Sequence, residues 1–347
     1  MKREFSSFSV IGLLILLICV ACTPPSKYHK IGGQTMGTYF AITYQGNNPL
    51  KTKKSIEKIL LDFNNSVSTY IKESTISQLN RSEFGIVLPE NDPYFKPVFE
   101  KSTFLYDLTD GALNTSVAPL VNYWGFGFKG KDQITIVDSV AVDSILAIVN
   151  HSSFQITQKE GKDFVAKSIP NAEVDYSSLA KGYGIDVIAH FFLEHEVDNF
   201  LIDIGGEARA QGDNSVGLPW SLAINKPKDD APVDAMEIIL QLDNKSLATS
   251  GNYRIYYENG GRKFAHILNP KTGYSALSNL LSASIIADDC MTADGLATAM
   301  MVKGLEGAKQ FLAKNTYPAC LIYDADGDDN LEKYYANGFK EMVVKER

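Results

Sequence analysis

Four cysteines in 347 residues, whose one Cys-x-x-Cys spacing is Cys19–Cys22 at the end of the N-terminal apolar run, leave a thiolate zinc site or a dithiol redox motif in the folded part without ligands. An excess of basic residues is missing too. The 33 Lys and Arg face 41 Asp and Glu, giving a net charge of −8, so the electrostatic footprint of a nucleic-acid binder is absent and no nucleic-acid partner is expected. The one Gly-x-Gly-x-x-Gly spacing, Gly125 to Gly130, neither follows a predicted strand nor opens a predicted helix, and no GxxxxGK[ST] loop is present, which argues against a Rossmann dinucleotide site and a Walker phosphate loop. No internal repeat and no low-complexity tract is present, and solenoids and disordered tails go with them. The apolar run Val10 to Ala21 is too short for a comfortable membrane span.

What is present is a composition that is 45% hydrophobic and 21% charged, enough to build a sizeable globular core. The N-terminus has the organisation of a processing segment: Lys2 and Arg3 precede the apolar run, which ends in Ala21-Cys22. Ala21-Cys22 resembles a bacterial lipobox, although Cys19 stands where leucine is usual. The expectation is a signal peptide over 1–21, lipidation of Cys22, a linker over 22–30 containing Pro24 and Pro25, and one compact unit over 31–347. The protein would then be an exported lipoprotein on the periplasmic side, anchored to a membrane. Cys290 and Cys320 would remain, read as two small buried side chains whose pairing the spacing leaves open.

Periodicity predicts helices over Lys51–Val67, Pro97–Leu108, Val142–Val149, Leu179–Leu193 and Leu305–Leu312, with another beginning at Asp289. Strands are predicted at Tyr39–Tyr44, Ile134–Ile136, Phe154–Gln158, Phe164–Lys167, Phe200–Ile204, Trp220–Ile224, Met236–Leu242, Ile255–Tyr257, Lys263–Leu268, Leu281–Ile286 and Ala319–Tyr323. Gly111 to Gly130 reads as a long shaped loop, too apolar to be disordered. Hairpins outnumber regular βαβ alternation, so the fold class is α+β: mixed, largely antiparallel sheets with packed helices.

Several stretches carry chemistry. In Asp289 to Val302, Asp294 and Thr298 stand four residues apart on one helical face, two hard oxygens able to hold a cation such as Mg2+, while Gly295 weakens the same helix. Asp175 to Gly184 places small residues before Lys181, a point charge suited to phosphate, and Gly182 and Gly184 point to close backbone approach. Asp203-Ile-Gly-Gly-Glu207 reads as a strand and a tight turn with solvated carboxylates. His266 falls on a predicted strand next to an Asn-Pro-Lys-Thr-Gly turn; His29, His151, His190 and His195 have no companion motif.

Together with Thr35-Met-Gly-Thr38, Ser68-Thr-Tyr70, the run Gly111 to Gly127, Ala248-Thr-Ser-Gly-Asn-Tyr-Arg254 and His266-Ile-Leu-Asn-Pro-Lys-Thr-Gly-Tyr274, these stretches follow a recognisable order. The chain resembles the ApbE family of FAD:protein FMN transferases from about Ile31 to the C-terminal strands. The resemblance implies an ApbE-like, T-fold-related catalytic unit. It also implies Mg2+-dependent cleavage of the FAD pyrophosphate, with AMP released and FMN joined by a phosphoester to a threonine of an acceptor protein. By similarity Asp294, Thr298 and a carbonyl of Ser178 would hold the metal. FAD would contact Met36, Tyr70, Ala112, Leu113, Asn114, Asp175, Lys181, His266 and Ile267, with His266 the candidate for proton transfer. Acceptors would be subunits of membrane redox complexes or secreted flavoproteins. A Mg2+-dependent FAD pyrophosphatase and a non-catalytic flavin-binding lipoprotein are the competing readings. Ser177-Ser178, Asn114, Asn252 and Ala297 depart from the family pattern, and the last leaves one carboxylate on the metal-binding helix.

Overall fold

The computed structural model describes residues 27–346 apart from 129–133, 135–136, 233–234, 254 and 260. The expected signal peptide, Cys22 and most of the predicted strand Ile134–Ile136 lie outside the described residues. Sixteen strands are present among the described residues. In chain order they are β1 (Tyr28–Thr35), β2 (Thr38–Gln45), β3 (Gly85–Val87), β4 (Phe154–Lys159), β5 (Lys162–Lys167), β6 (Phe200–Ile204), β7 (Glu207–Gln211) and β8 (Trp220–Asn225). They continue with β9 (Met236–Leu242), β10 (Ser246–Gly251), β11 (Tyr256–Asn259), β12 (Arg262–Ala265), β13 (Leu280–Ala287), β14 (Ala319–Tyr323), β15 (Glu332–Ala336) and β16 (Val343–Glu346). The helices are α1 (Pro49–Val67), α2 (Thr75–Arg81), α3 (Phe95–Leu108), α4 (Ala118–Tyr123), α5 (Ser139–Leu146), α6 (Ser177–Glu194) and α7 (Cys290–Leu312).

The expected α+β architecture is what forms. Eight strands make one sheet in the order β1-β2-β6-β7-β10-β13-β14-β15, with every neighbouring pair antiparallel. Alternation along the strands separates two cores. Ile202, Ile204 and Ile285 point to the face covered by helices, where α6 packs on β6 and β7 and α7 packs on β10 and β13. Leu201, Ile286, Cys320 and Ile322 point to the opposite face, beneath the small sheet β16-β9-β8 with Trp220, Ile238 and Leu240. Cys290 lies in the helix-side core and Cys320 in the other, both buried and both free thiols, which closes the question of their pairing.

Local chemistry explains several boundaries. Asn48 accepts from the Lys51 N–H and Pro49 opens α1, so that helix starts two residues before its predicted first residue. Glu160 and Gly161, at φ 53° and 78°, make the tight turn joining β4 to β5. Gly304, at φ 66° and ψ 178°, breaks α7 where a separate final helix had been read.

Three expectations are corrected, and one strand outside the predicted set stands at the centre of the sheet. The first strand begins at Tyr28, inside the stretch read as linker, because β1 pairs with β2 along its whole length. The 111–130 segment is not one loop: it holds a 3-10 turn at Thr115–Val117 and then α4, with Pro119 in its first turn. Ser246–Gly251 is a central strand although its small polar residues favour none, since β7 and β13 supply its hydrogen bonds on both edges. His266 lies one residue past the end of β12 rather than within a strand.

Candidate active site

The site is built where α6 crosses the start of α7. At Gly182 a Cβ would stand 2.3 Å from the Cys290 carbonyl oxygen and 2.8 Å from the Met291 nitrogen, so only glycine lets the two backbones meet. Gly295, on the same helix as Cys290, likewise admits Leu179 and Leu105, each within 2.7 Å of where a Cβ would be. The glycines that weaken both helices are the ones that allow the crossing.

Asp186 fixes the joint. Its carboxylate accepts from the N–H groups of Cys290 (2.9 Å) and Met291 (2.8 Å), two of the unpaired donors at the start of α7, and pairs with Arg209 of β7 at 2.9 Å. Asp289 caps the same helix from within, accepting from Thr292 at 2.8 Å. Burial pushes the Asp186 carboxyl up to about 6 despite these bonds.

Inside this joint sits Asp294, 3% exposed, with Oδ2 accepting from the Gly182 N–H at 3.0 Å. In a regular α-helix that N–H points at the carbonyl of the residue four positions earlier, here Ser178. The Asp294 carboxylate and the Ser178 turn therefore converge on one donor. Burial, reinforced by the nearby Glu207 carboxylate, drives Asp294 up to about 8. Thr298 lies one turn further along α7, its hydroxyl 3.1 Å from that of Ser250 on β10. Lys181 pairs with Glu207 at 2.6 Å; burial alone would lower the lysine, but Glu207 and Asp294 hold it raised. Glu207 is itself only 3% exposed, so the reading of its turn as solvated is wrong for this residue.

No group of three or more His, Cys, Asp and Glu side chains among the described residues is placed to hold a metal ion. The candidate oxygens are of mixed kind: the Asp294 carboxylate, the Thr298 hydroxyl one helical turn along and the carbonyl of the Ser178 turn. They fit a hard divalent cation, because a buried carboxylate whose burial resists its charge gains most from a counter-ion.

A second group of predicted residues forms the outer part of the site. Met36, at φ 49° in the turn between β1 and β2, lies against Gly184, with its Cε 2.7 Å from where a Cβ would be. Asp175 accepts from Ser177 at 2.7 Å, and its N–H donates to the Thr115 carbonyl at 2.8 Å, joining the 112–115 segment to the start of α6. Asn114 is occupied locally, accepting from the N–H and hydroxyl of Ser116. Ala112, Leu113 and Ile267 bury their side chains in the helix-side core; the Ala112 and Leu113 N–H groups donate to Thr109, and the Ile267 carbonyl accepts from the Ala276 N–H. Tyr70 is 70% exposed, near the edge of the Phe128 ring; partial burial of its hydroxyl, then the Asp175 carboxylate, pushes its pKa up.

His266 faces the same region. Its Nδ1 lies 3.1 Å from the Ile255 carbonyl, which can only accept, so Nδ1 is assigned the proton and Nε2 is the ring's free acceptor. Burial, with a smaller contribution from Lys181, lowers its affinity for a second proton. The imidazole is therefore neutral and basic near neutral pH. Sequence reasoning missed Asp186 and undervalued Glu207. The one available signal was a lone carboxylate in a largely apolar stretch of helix, Gly182 to Phe192, most of whose residues are buried.

The eight-stranded antiparallel sheet, with two helices crossing over a buried lysine–carboxylate cluster, belongs to a chain that superposes on solved flavin transferases. The structure superposes on the flavin transferase ApbE from Vibrio cholerae with a TM-score of 0.81 and 32% identity, covering 92% of this chain and 100% of that one. The apo flavinyl transferase ApbE of Pseudomonas stutzeri gives 0.81 at 26% identity, over 92% of this chain and 98% of that one. The profile of the ApbE family matches residues 36–322, and the chain belongs to that family. A relative from Haemophilus influenzae named FAD:protein FMN transferase is 35% identical over 94% of each chain, and one of the same name from Escherichia coli is 29% identical over 100% of each.

Proposed function

We propose that this protein is an FAD:protein FMN transferase. The observation that carries the reading is the crossing of α6 and α7, which brings the Ala180-Lys-Gly-Tyr and Ala293-Asp-Gly-Leu-Ala-Thr stretches together around Lys181, Glu207 and Asp294. The threonine hydroxyl of an acceptor protein attacks the FMN-side phosphorus of FAD. The bond from that phosphorus to the bridging oxygen breaks, and AMP leaves with the bridging oxygen. The threonine proton passes to Nε2 of His266, the acceptor nitrogen left by the Ile255 contact. Lys181 offers its ammonium to the pyrophosphate oxygens, and Tyr70 offers a ring face to the flavin. Mg2+, when bound, supplies charge neutralisation on those oxygens; Asp294, Thr298 and the Ser178 carbonyl would hold it.

The expected result of incubating the protein with FAD, Mg2+ and a threonine-bearing acceptor is AMP release matched by flavin covalently attached to the acceptor. AMP without attachment would make the protein a pyrophosphatase, and tight FAD binding without AMP under any metal would sink both enzyme readings. Support for export as a lipoprotein comes from Lys2, Arg3, the apolar run and Ala21-Cys22. No helix among the described residues is long and apolar enough to cross a membrane. Mass spectrometry of the mature chain is expected to find a lipid-modified Cys22 at its N-terminus; an intact Met1 would overturn this. Acceptors on the same side of the membrane, subunits of redox complexes or secreted flavoproteins, are the proposed clients.

A further inference from the structure

We propose that Glu207 is a positioning residue that holds the Lys181 ammonium away from Asp294, keeping the cation-binding carboxylate open; this rests on the reading of the site given above. Glu207 opens β7 directly after the Gly205-Gly206 turn and pairs through Oε1 with Nζ of Lys181 at 2.6 Å. Its second oxygen, Oε2, is buried and has no hydrogen-bond partner among the described residues. A half-satisfied buried carboxylate is costly, and an apolar side chain would serve packing better. Retaining one here points to work beyond stability.

That work follows from where the lysine is rooted. Gly182, the next residue, donates to Asp294, so the Lys181 backbone stands beside the Asp294 carboxylate. Both carboxylates act on the ammonium. A lysine stem has several rotatable bonds, and without Glu207 its head would be drawn to the other carboxylate that acts on it, Asp294. It would then occupy the oxygens a cation needs. The stem is also hemmed in at its middle: at Gly205, φ +63°, a Cβ would stand 2.9 Å from Thr38 and 3.4 Å from Cδ of Lys181. The β1–β2 turn, the Gly-Gly turn and α6 thus surround one lysine, and Glu207 decides where its charge ends.

Thermal shift against Mg2+ concentration, read beside kcat and KM for FAD, tests this. Glu207→Gln is expected to raise the Mg2+ concentration needed for half-maximal stabilisation by about tenfold or more, the loss of one charge-assisted bond. Removing the lysine as well, in Glu207→Gln with Lys181→Met, is expected to restore the Mg2+ response while leaving kcat low. Glu207→Asp, which keeps the charge but shortens the reach, is expected to show a smaller version of the first change. An unchanged Mg2+ response in both single variants overturns the proposal. So does a weakened response that removing Lys181 fails to restore, since Glu207 would then act on the cation directly. The underlying reading fails differently, by full transfer activity in Lys181→Met alone.

Discussion

Asp294→Asn abolishes metal-dependent turnover and at the same time makes the unliganded protein more stable. Both outcomes follow from one position. The carboxylate is buried, and burial with the Glu207 charge raises its affinity for a proton to about pH 8. A group protonated more readily in the folded than in the unfolded chain takes up a proton on folding. Stability contributed this way is present at low pH and lost as pH rises from about 4 towards 8. Asparagine keeps an acceptor for the Gly182 N–H, at present 3.0 Å from Oδ2, but carries no charge to bury. Its expected gain at neutral pH is about 1–4 kcal/mol, the order found when buried ionic groups are replaced by neutral ones that leave no partner unpaired. The difference between wild type and variant should shrink as pH falls below 8 and vanish near 4. Denaturant melts across pH in the absence of metal measure this directly. Mg2+ should raise the melting temperature of the wild type and leave the variant unmoved. A variant that is less stable at every pH, or that still turns over, removes Asp294 from the site.

His266→Ala is expected to lower kcat by about 10²- to 10⁴-fold, the usual span for a lost general base, while FAD affinity shifts only a few-fold. The reason lies in how the ring is held. The Ile255 carbonyl takes one nitrogen, so the other is committed to accepting, and burial keeps the ring neutral. Because its proton affinity is lowered, the rate should rise on a limb whose midpoint lies below the ordinary histidine range. Rapid-mixing measurement of AMP release separates the chemical step from binding. Equal losses in FAD binding and in rate would reduce His266 to a contact residue.

Legibility in the sequence followed chemistry that is local. Asp294 and Thr298 stand one helical turn apart, and the Gly182 and Gly184 pair announced a close approach that the structure shows at Cys290 and at Met36. The strands predicted at Phe154–Gln158 and Phe164–Lys167 pair across the short turn at Glu160 and Gly161, where the glycine adopts positive φ without strain. What stayed hidden depends on partners far along the chain. Asp186 lies in mid-helix with nothing nearby to mark it, and its partners Cys290 and Met291 are about a hundred residues away. Glu207 looked like a solvated turn because two glycines preceded it. The surrounding burial comes from α6, which no local window contains. Ser246–Gly251 is a strand only because two neighbours already are.

At Gly182 α6 and α7 meet backbone to backbone, and a contact of bare backbone has little slack. Side-chain interfaces absorb small displacements by changing rotamer; peptide against peptide can only slide or separate. The lysine and the carboxylate on either side of that contact are machined to a common tolerance. Each half of the site is a gauge for the other, and tinkering with one alone shows up as error in both.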